Sequence, residues 1–187
     1  MNATEHLVEL YFRELNYLTA ADIKVVKGNN RQFDLLAFNL NNKAEYHIEV
    51  SVAHGLQWGE TLEKIIEKIE YKFFGIPRNS RPDHDNTDFV KGKTYLESIK
   101  STYAQFGFNY QNITRVWCTW RIEPSYNIEN WKKVLADKFD LTPKNFDILS
   151  FRDDVIPRLL NNIGTSNYDD EILRTMSLLN VAKKQRG

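Results

Sequence analysis

Along the first eighteen positions the apolar residues Leu7, Val8, Tyr11, Phe12, Leu15 and Leu18 recur at helical spacing behind Thr4, a residue suited to cap a helix, so an amphipathic helix is expected over 4–18. The period then shortens. Ile23 to Lys27 reads as a short strand, Asn29-Asn30 as a turn and Gln32 to Asn39 as a second strand; Asn41-Asn42 turns into a third strand from Glu45 to Val52. From Glu60 to Phe74, Leu62, Ile65, Ile66, Ile69 and Phe73 return to helical spacing among charged residues, and Gly75-Ile76-Pro77 ends that helix. Arg78 to Gly92 has no apolar period and is expected as a long surface loop. Beyond it the pattern predicts a helix over 94–106, a strand over 113–122, a helix over 127–139, a strand over 146–151 and closing helices over 153–163 and 169–184. Strands and helices in this order define an α/β class, and no internal repeat is visible.

With 187 residues, 42% of them apolar, the chain is expected to form a single domain over 1–187 around a proper core. Its single cysteine, Cys118, lies in the run Val116-Trp117-Cys118-Thr119-Trp120 and reads as a buried structural thiol, which excludes an intrachain disulfide scaffold and a cysteine-rich zinc site. The start, Met1-Asn2-Ala3-Thr4-Glu5-His6, does not read as a secretory leader, and no apolar run approaches the ~20 residues of a membrane span. The expectation is a soluble cytoplasmic protein with no membrane partner. Lysine plus arginine equal aspartate plus glutamate at 25 each, so the basic balance typical of nucleic-acid binders is missing. A metal-binding cluster of carboxylates would offset basic residues elsewhere, so net charge does not decide the partner.

Candidate chemistry enters through the strands. Side chains alternate, so Asp34 shares a face with Leu36 and Phe38, a carboxylate among apolar neighbours. On the third strand Glu45, His47, Glu49 and Ser51 share the face opposite to Tyr46, Ile48, Val50 and Val52. If the two strands pair as a hairpin, Asp34 and Glu49 converge, and two adjacent carboxylates call for a cation between them. Oxygen ligands favour magnesium or manganese over zinc. The plainer alternative is a hairpin with one wet face on which His47, Glu49 and Ser51 are solvated. Asp83-His84-Asp85 suggests metal ligands only superficially, and solvation suits that polar loop better. Arg115, Trp117, Trp120 and Arg121 interleave cations with aromatics, a pattern that stacks on bases or fills a core.

The segment Gln32-Phe33-Asp34-Leu35-Leu36-Ala37, a short turn, and Tyr46-His47-Ile48-Glu49-Val50 resemble the Asp strand and the Glu-x-Lys strand of the PD-(D/E)XK, or restriction-endonuclease-like, nucleases. The helix-strand-strand-strand-helix-strand order over 4–122 is similar to that family's core, with 123–187 as a C-terminal strand and helices packed on it. The resemblance implies a central mixed sheet flanked by helices, and Mg2+ or Mn2+ held by Asp34 and Glu49. It implies phosphodiester hydrolysis, with a DNA endonuclease as first choice. Some branches add an acidic residue on the first helix, before a Leu-x-x-x-Gly-aromatic ending. Phe12-Arg13-Glu14-Leu15-Asn16-Tyr17 resembles that ending with Asn16 for glycine, which points back to Glu5 as a further metal ligand and to Glu9 as runner-up. Their plainer role is to complement a helix dipole.

The departure is Ser51, where the family places the lysine that activates water and stabilises charge on phosphate. In some relatives the following helix supplies it, and here Glu60, Lys64, Lys68 and Lys72 form one stripe, from which Lys64 or Lys68 is expected to reach back. Gln57 stands where some members place a glutamine that holds site or substrate. Arg78, Arg81, Lys91 and Lys93 are suitable phosphate partners. A homodimer would suit cleavage of two strands. The alternative function, favoured by Ser51 and by the neutral charge, is a catalytically degenerate module of this fold that binds nucleic acid or a protein partner.

Overall fold

The computed structural model describes residues 2–28, 30–52, 62–76, 95–122 and 127–185. Helix α1 (Ala3–Glu14) begins one residue earlier than expected, because Asn2 rather than Thr4 caps it: the Asn2 side chain accepts from the Thr4 and Glu5 N–H groups, and the Glu5 carboxylate reciprocates to the Asn2 backbone. It also ends earlier. Asn16 takes a left-handed conformation at φ +64°, which the helix cannot continue through, and the chain enters β1 (Tyr17–Lys24) at once. Leu18, placed on the helical stripe by period, therefore stands 59% exposed on an edge strand.

Strands β2 (Gln32–Asn39) and β3 (Glu45–Ser51) follow, then helices α2 (Leu62–Phe74) and α3 (Leu96–Gln105), β4 (Thr114–Thr119), α4 (Ile128–Phe139), β5 (Phe146–Ser150), α5 (Ile156–Asn162) and α6 (Glu171–Lys184). The five strands lie in sequence order as an open mixed sheet, with β1, β2 and β3 antiparallel and β3, β4 and β5 parallel. The closing helix expected from residue 153 is preceded by a π-helical turn, Phe151–Val155.

Alternation along the strands divides the core between the two faces of the sheet. On one, Leu35, Ala37, Ile48, Val116 and Cys118 pack with Val8 and Phe12 of α1 and with Leu159 of α5. Cys118 is fully buried and its thiol is pushed up by that burial, as expected of a structural cysteine. On the other face Trp117 and Phe146 pack with Ile65, Ile69, Phe73 and Phe74 of α2 and with Trp131 and Leu135 of α4, while Phe33 and Leu36 pack with Ile99 and Tyr103 of α3. Each large side chain so buried contributes roughly 1.5–3 kcal/mol. Together they fix α2 over the strands that carry Asp34 and Glu49. No helix among the described residues is long and apolar enough to cross a membrane.

Because Asn16 holds a conformation that glycine adopts without cost, Asn16→Gly is expected to change stability by less than about 0.5 kcal/mol, whereas Asn16→Val should lose about 1–2 kcal/mol. Urea unfolding of the three proteins checks this.

Candidate functional site

The β2–β3 ladder pairs Phe38 with Glu45, Ala37 with Tyr46, Leu36 with His47 and Leu35 with Ile48. One more step of that register would set Asp34 directly opposite Glu49, and the ladder stops there. Instead, the Val50 N–H donates to Asp34 Oδ2 at 2.8 Å, so the Asp34 side chain takes the place of a rung. Like charges opposite one another destabilise a sheet unless something lies between them. Here that is Lys72, near the end of α2: its Nζ lies 2.5 Å from Glu49 Oε2 and 3.6 Å from Asp34 Oδ1.

The site is scarcely solvated. The Glu49 side chain is 1% exposed and His47 is fully buried, so the wet-face reading of this hairpin is overturned. Burial, and then the charge of Glu49, push the Asp34 carboxyl up to about 6 against the pull of Lys72 and the Val50 N–H. Glu49 is likewise raised by burial, with Lys72 opposing. Burial disfavours the Lys72 ammonium, but attraction to Glu49 and Asp34 outweighs it and its pKa lies above the ordinary value.

A buried polar chain runs behind Glu49. His47 Nε2 lies 2.9 Å from Glu49 Oε1 and His47 Nδ1 lies 2.6 Å from the Tyr103 hydroxyl, while the Arg115 guanidinium, whose charge acts on Tyr103, donates to the Ile113 and Tyr110 carbonyls at 3.1 and 2.9 Å. Burial, reinforced by the Arg115 charge, holds His47 well below its usual pKa, so the imidazole is neutral. With Glu49 charged, Nε2–H donates to the carboxylate and Nδ1 accepts the Tyr103 O–H. Phe33 and Phe73 pack on the ring with centroids at 4.2 and 4.6 Å. Glu49 is thus held on one oxygen by His47 and on the other by Lys72.

The remaining expected residues fare differently. Lys64 and Lys68 do not supply the cation: Lys64 is exposed about 12 Å along the helix from Lys72, and Lys68 sits over the Trp117 ring at 5.9 Å. The stripe was right and the turn was wrong, because α2 meets the carboxylates near its C-terminal end. Glu5 is not part of the cluster; its carboxylate takes the Asn2 backbone N–H at 2.8 Å and the Asn2 amide at 2.6 Å. Glu9, the runner-up, is held by Arg13 and Thr19 at 2.6 and 2.9 Å. Among the described residues no group of three or more His, Cys, Asp or Glu side chains is arranged to hold a metal. Ser51 stands two residues beyond Glu49, paired with Thr119. Arg115 and Trp117 are buried, which removes them as base-stacking residues; Trp120 is 42% exposed. Gln57, Arg78, Arg81, Lys91 and Lys93, with Asp83-His84-Asp85, lie outside the described residues.

Sequence reasoning missed Tyr103 and Arg115 as parts of the site's support. His47 had a signal, its alternation with Glu49 on one strand face. Tyr103 had none, since a tyrosine on a helical stripe reads as ordinary core.

No protein-family model matches the chain, and no curated protein and no solved structure matches it.

The charge balance has a measurable consequence. Asp34 binds a proton up to about pH 6 in the fold and up to its ordinary 3.8 in the unfolded chain, so stability is lost as pH rises through that window. Asp34→Asn, which can still accept from Val50, is expected to stabilise the protein at pH 7 by about 2–3 kcal/mol and to flatten the fall between these values, as read from urea unfolding across pH. Lys72→Met should cost roughly 3 kcal/mol at neutral pH by stranding the buried Glu49 charge, and Glu49→Gln on top should recover most of it.

Proposed function

We propose that this chain is a metal-dependent nuclease of the restriction-endonuclease-like type that hydrolyses phosphodiester bonds, acting as a DNA endonuclease. The observation that carries the reading is the Lys72 ammonium within reach of both Asp34 and Glu49. Ser51, standing where the resemblance asks for lysine, favoured a degenerate module; a cation from the following helix answers that objection. The α/β frame, the open mixed sheet and the two carboxylates at the mouth of the β2–β3 hairpin are all compatible with this reading.

The donor set suits a hard divalent cation. Two carboxylates face a single ammonium, and burial together with the neighbouring Glu49 charge pushes Asp34 up to about 6. Glu49 Oε2 accepts no hydrogen bond of ordinary geometry, its neighbour being the Lys72 ammonium. Asp34 and Glu49 would hold Mg2+ or Mn2+, an ion that commonly binds through one or two carboxylates, with water and substrate phosphate completing its shell. When bound, such an ion makes water nucleophilic and neutralises charge on the phosphoryl oxygens.

The chain's own residues have separate parts. Lys72 orients water through its N–H donors and offers positive charge to the non-bridging oxygens as they gain charge in the transition state. His47 fixes the Glu49 carboxylate plane through Nε2, and its neutral state keeps a second cation out of the cluster. Asp34, accepting from the Val50 N–H, ties the end of β2 to β3 beside the site.

Plasmid, linear and single-stranded DNA incubated with the purified protein and Mg2+ or Mn2+ provide the test. Metal-dependent cleavage is expected, lost by at least ~100-fold in Asp34→Ala, Glu49→Ala and Lys72→Met and kept within a few-fold in Lys64→Ala and Lys68→Ala. Absence of cleavage by the folded wild type, with DNA binding intact, would point to the degenerate binding module.

A further inference from the structure

Beside the carboxylates a cavity of about 300 Å³ opens between the turn that precedes β2 and the final turns of α2. Asp34 and Lys72 line it together with Asn30, Arg31, Phe33 and Tyr71. The placement of Arg31 is unusually constrained for a residue in a turn. Its Nη1 donates to the Tyr71 carbonyl at 2.8 Å, and its guanidinium carbon lies 4.2 Å from the Tyr71 ring centroid and 4.7 Å from that of Tyr95. Two ring faces fix the plane of the guanidinium before any ligand arrives, and a planar fork of donors is the geometry that matches phosphate.

The position follows from the chain. Arg31 precedes Asp34 by three residues and Tyr71 adjoins Lys72, so the Arg31–Tyr71 contact joins the two segments that carry the site's carboxylate and its ammonium. Arg31 adds a second positive charge to the cavity lining beside Lys72, in a chain whose overall charge is zero. A polynucleotide lying over Asp34 and Glu49 must seat the phosphates on either side of the one under attack, and backbone phosphates are held by arginines of this kind.

We propose that this cavity is a phosphate subsite in which Arg31 holds the backbone phosphate neighbouring the scissile one. The proposal rests on the nuclease reading and names a substrate contact that reading does not include.

The test is equilibrium binding of fluorescently labelled single- and double-stranded DNA to the full chain in EDTA, across a sodium chloride series, for wild type, Arg31→Met and Asn30→Asp. Asn30 is exposed at φ +62°, a conformation aspartate tolerates, so its replacement puts an anion at the cavity without disturbing the Arg31 clamp. Arg31→Met is expected to weaken binding roughly tenfold and to reduce the slope of log K against log salt by about 0.7–0.9, the loss of one phosphate contact. Asn30→Asp should weaken binding several-fold with an unchanged melting temperature.

A variant Arg31→Met that melts earlier but keeps the wild-type salt slope would overturn the subsite and leave Arg31 as a clamp between turn and helix. So would wild-type binding by Asn30→Asp, which also decides the matter if Arg31→Met does not fold. In either case cleavage dependent on Asp34, Glu49 and Lys72 would leave the proposed function standing. A wild type that neither binds nor cleaves any polynucleotide would overturn both.

Discussion

The placement of one ammonium between two nearly buried carboxylates is the constraint on which this half of the molecule depends. Taking Asp34, Glu49 and Lys72 out of water is costly, and their mutual attraction offsets that cost only if the geometry is held. The fold holds it from three directions. The β2–β3 ladder ends one rung early so that Asp34 can take the Val50 N–H; α2 is anchored by Ile65, Ile69, Phe73 and Phe74 so that Lys72 arrives from above; and His47, wedged between Phe33 and Phe73, fixes the far oxygen of Glu49. Removing any of these would leave a charge in a poorly solvated place.

The balance is incomplete in a definite sense. One ammonium faces two carboxylates, and burial, with the Glu49 charge added to it, raises the Asp34 carboxyl to about 6. A fold selected for stability alone would more readily carry an uncharged pair at that last rung. Retaining two acids there costs stability near neutral pH, and such a cost, in a cavity-bordering position, is what sites with chemistry to perform tend to carry. The neutral imidazole of His47 belongs to the same logic. Glu49 receives a hydrogen bond from it without a second full positive charge, so Lys72 is the cation that faces the two carboxylates.

Much of this was legible in the chain. β2 and β3 were bounded almost to the residue by Asn turns and alternation, and alternation also put Asp34 and Glu49 on facing positions. The lysine stripe of α2 was legible as well, but not which turn of it meets the strands, because the axial offset of a helix on a sheet is set by packing and not by helical period. The helix-to-strand junction at Asn16 failed for a related reason: a left-handed residue interrupts a pattern that Leu15 and Leu18 continue on paper. Glu5 shows the opposite error. A carboxylate three residues from Asn2 is already used by the capping box, a local hydrogen-bond demand that competes with any distant site.

A cation brought to the two carboxylates by the following helix rather than by the Glu49 strand is positioned differently. Two residues along one strand are related by fixed backbone geometry, so a lysine at Ser51 would be placed as soon as β3 formed. Lys72 is placed only when α2 docks, and docking requires the packing of Phe73 and Ile69 against Trp117, Trp131 and Phe146. The ammonium therefore depends on long-range burial as well as on local structure. The Arg31–Tyr71 contact strengthens that dependence, because it ties the segment leading into Asp34 to the residue next to Lys72. Any group bound in the cavity between them would stabilise the docked helix, and with it the geometry of the three charges, by its own binding free energy.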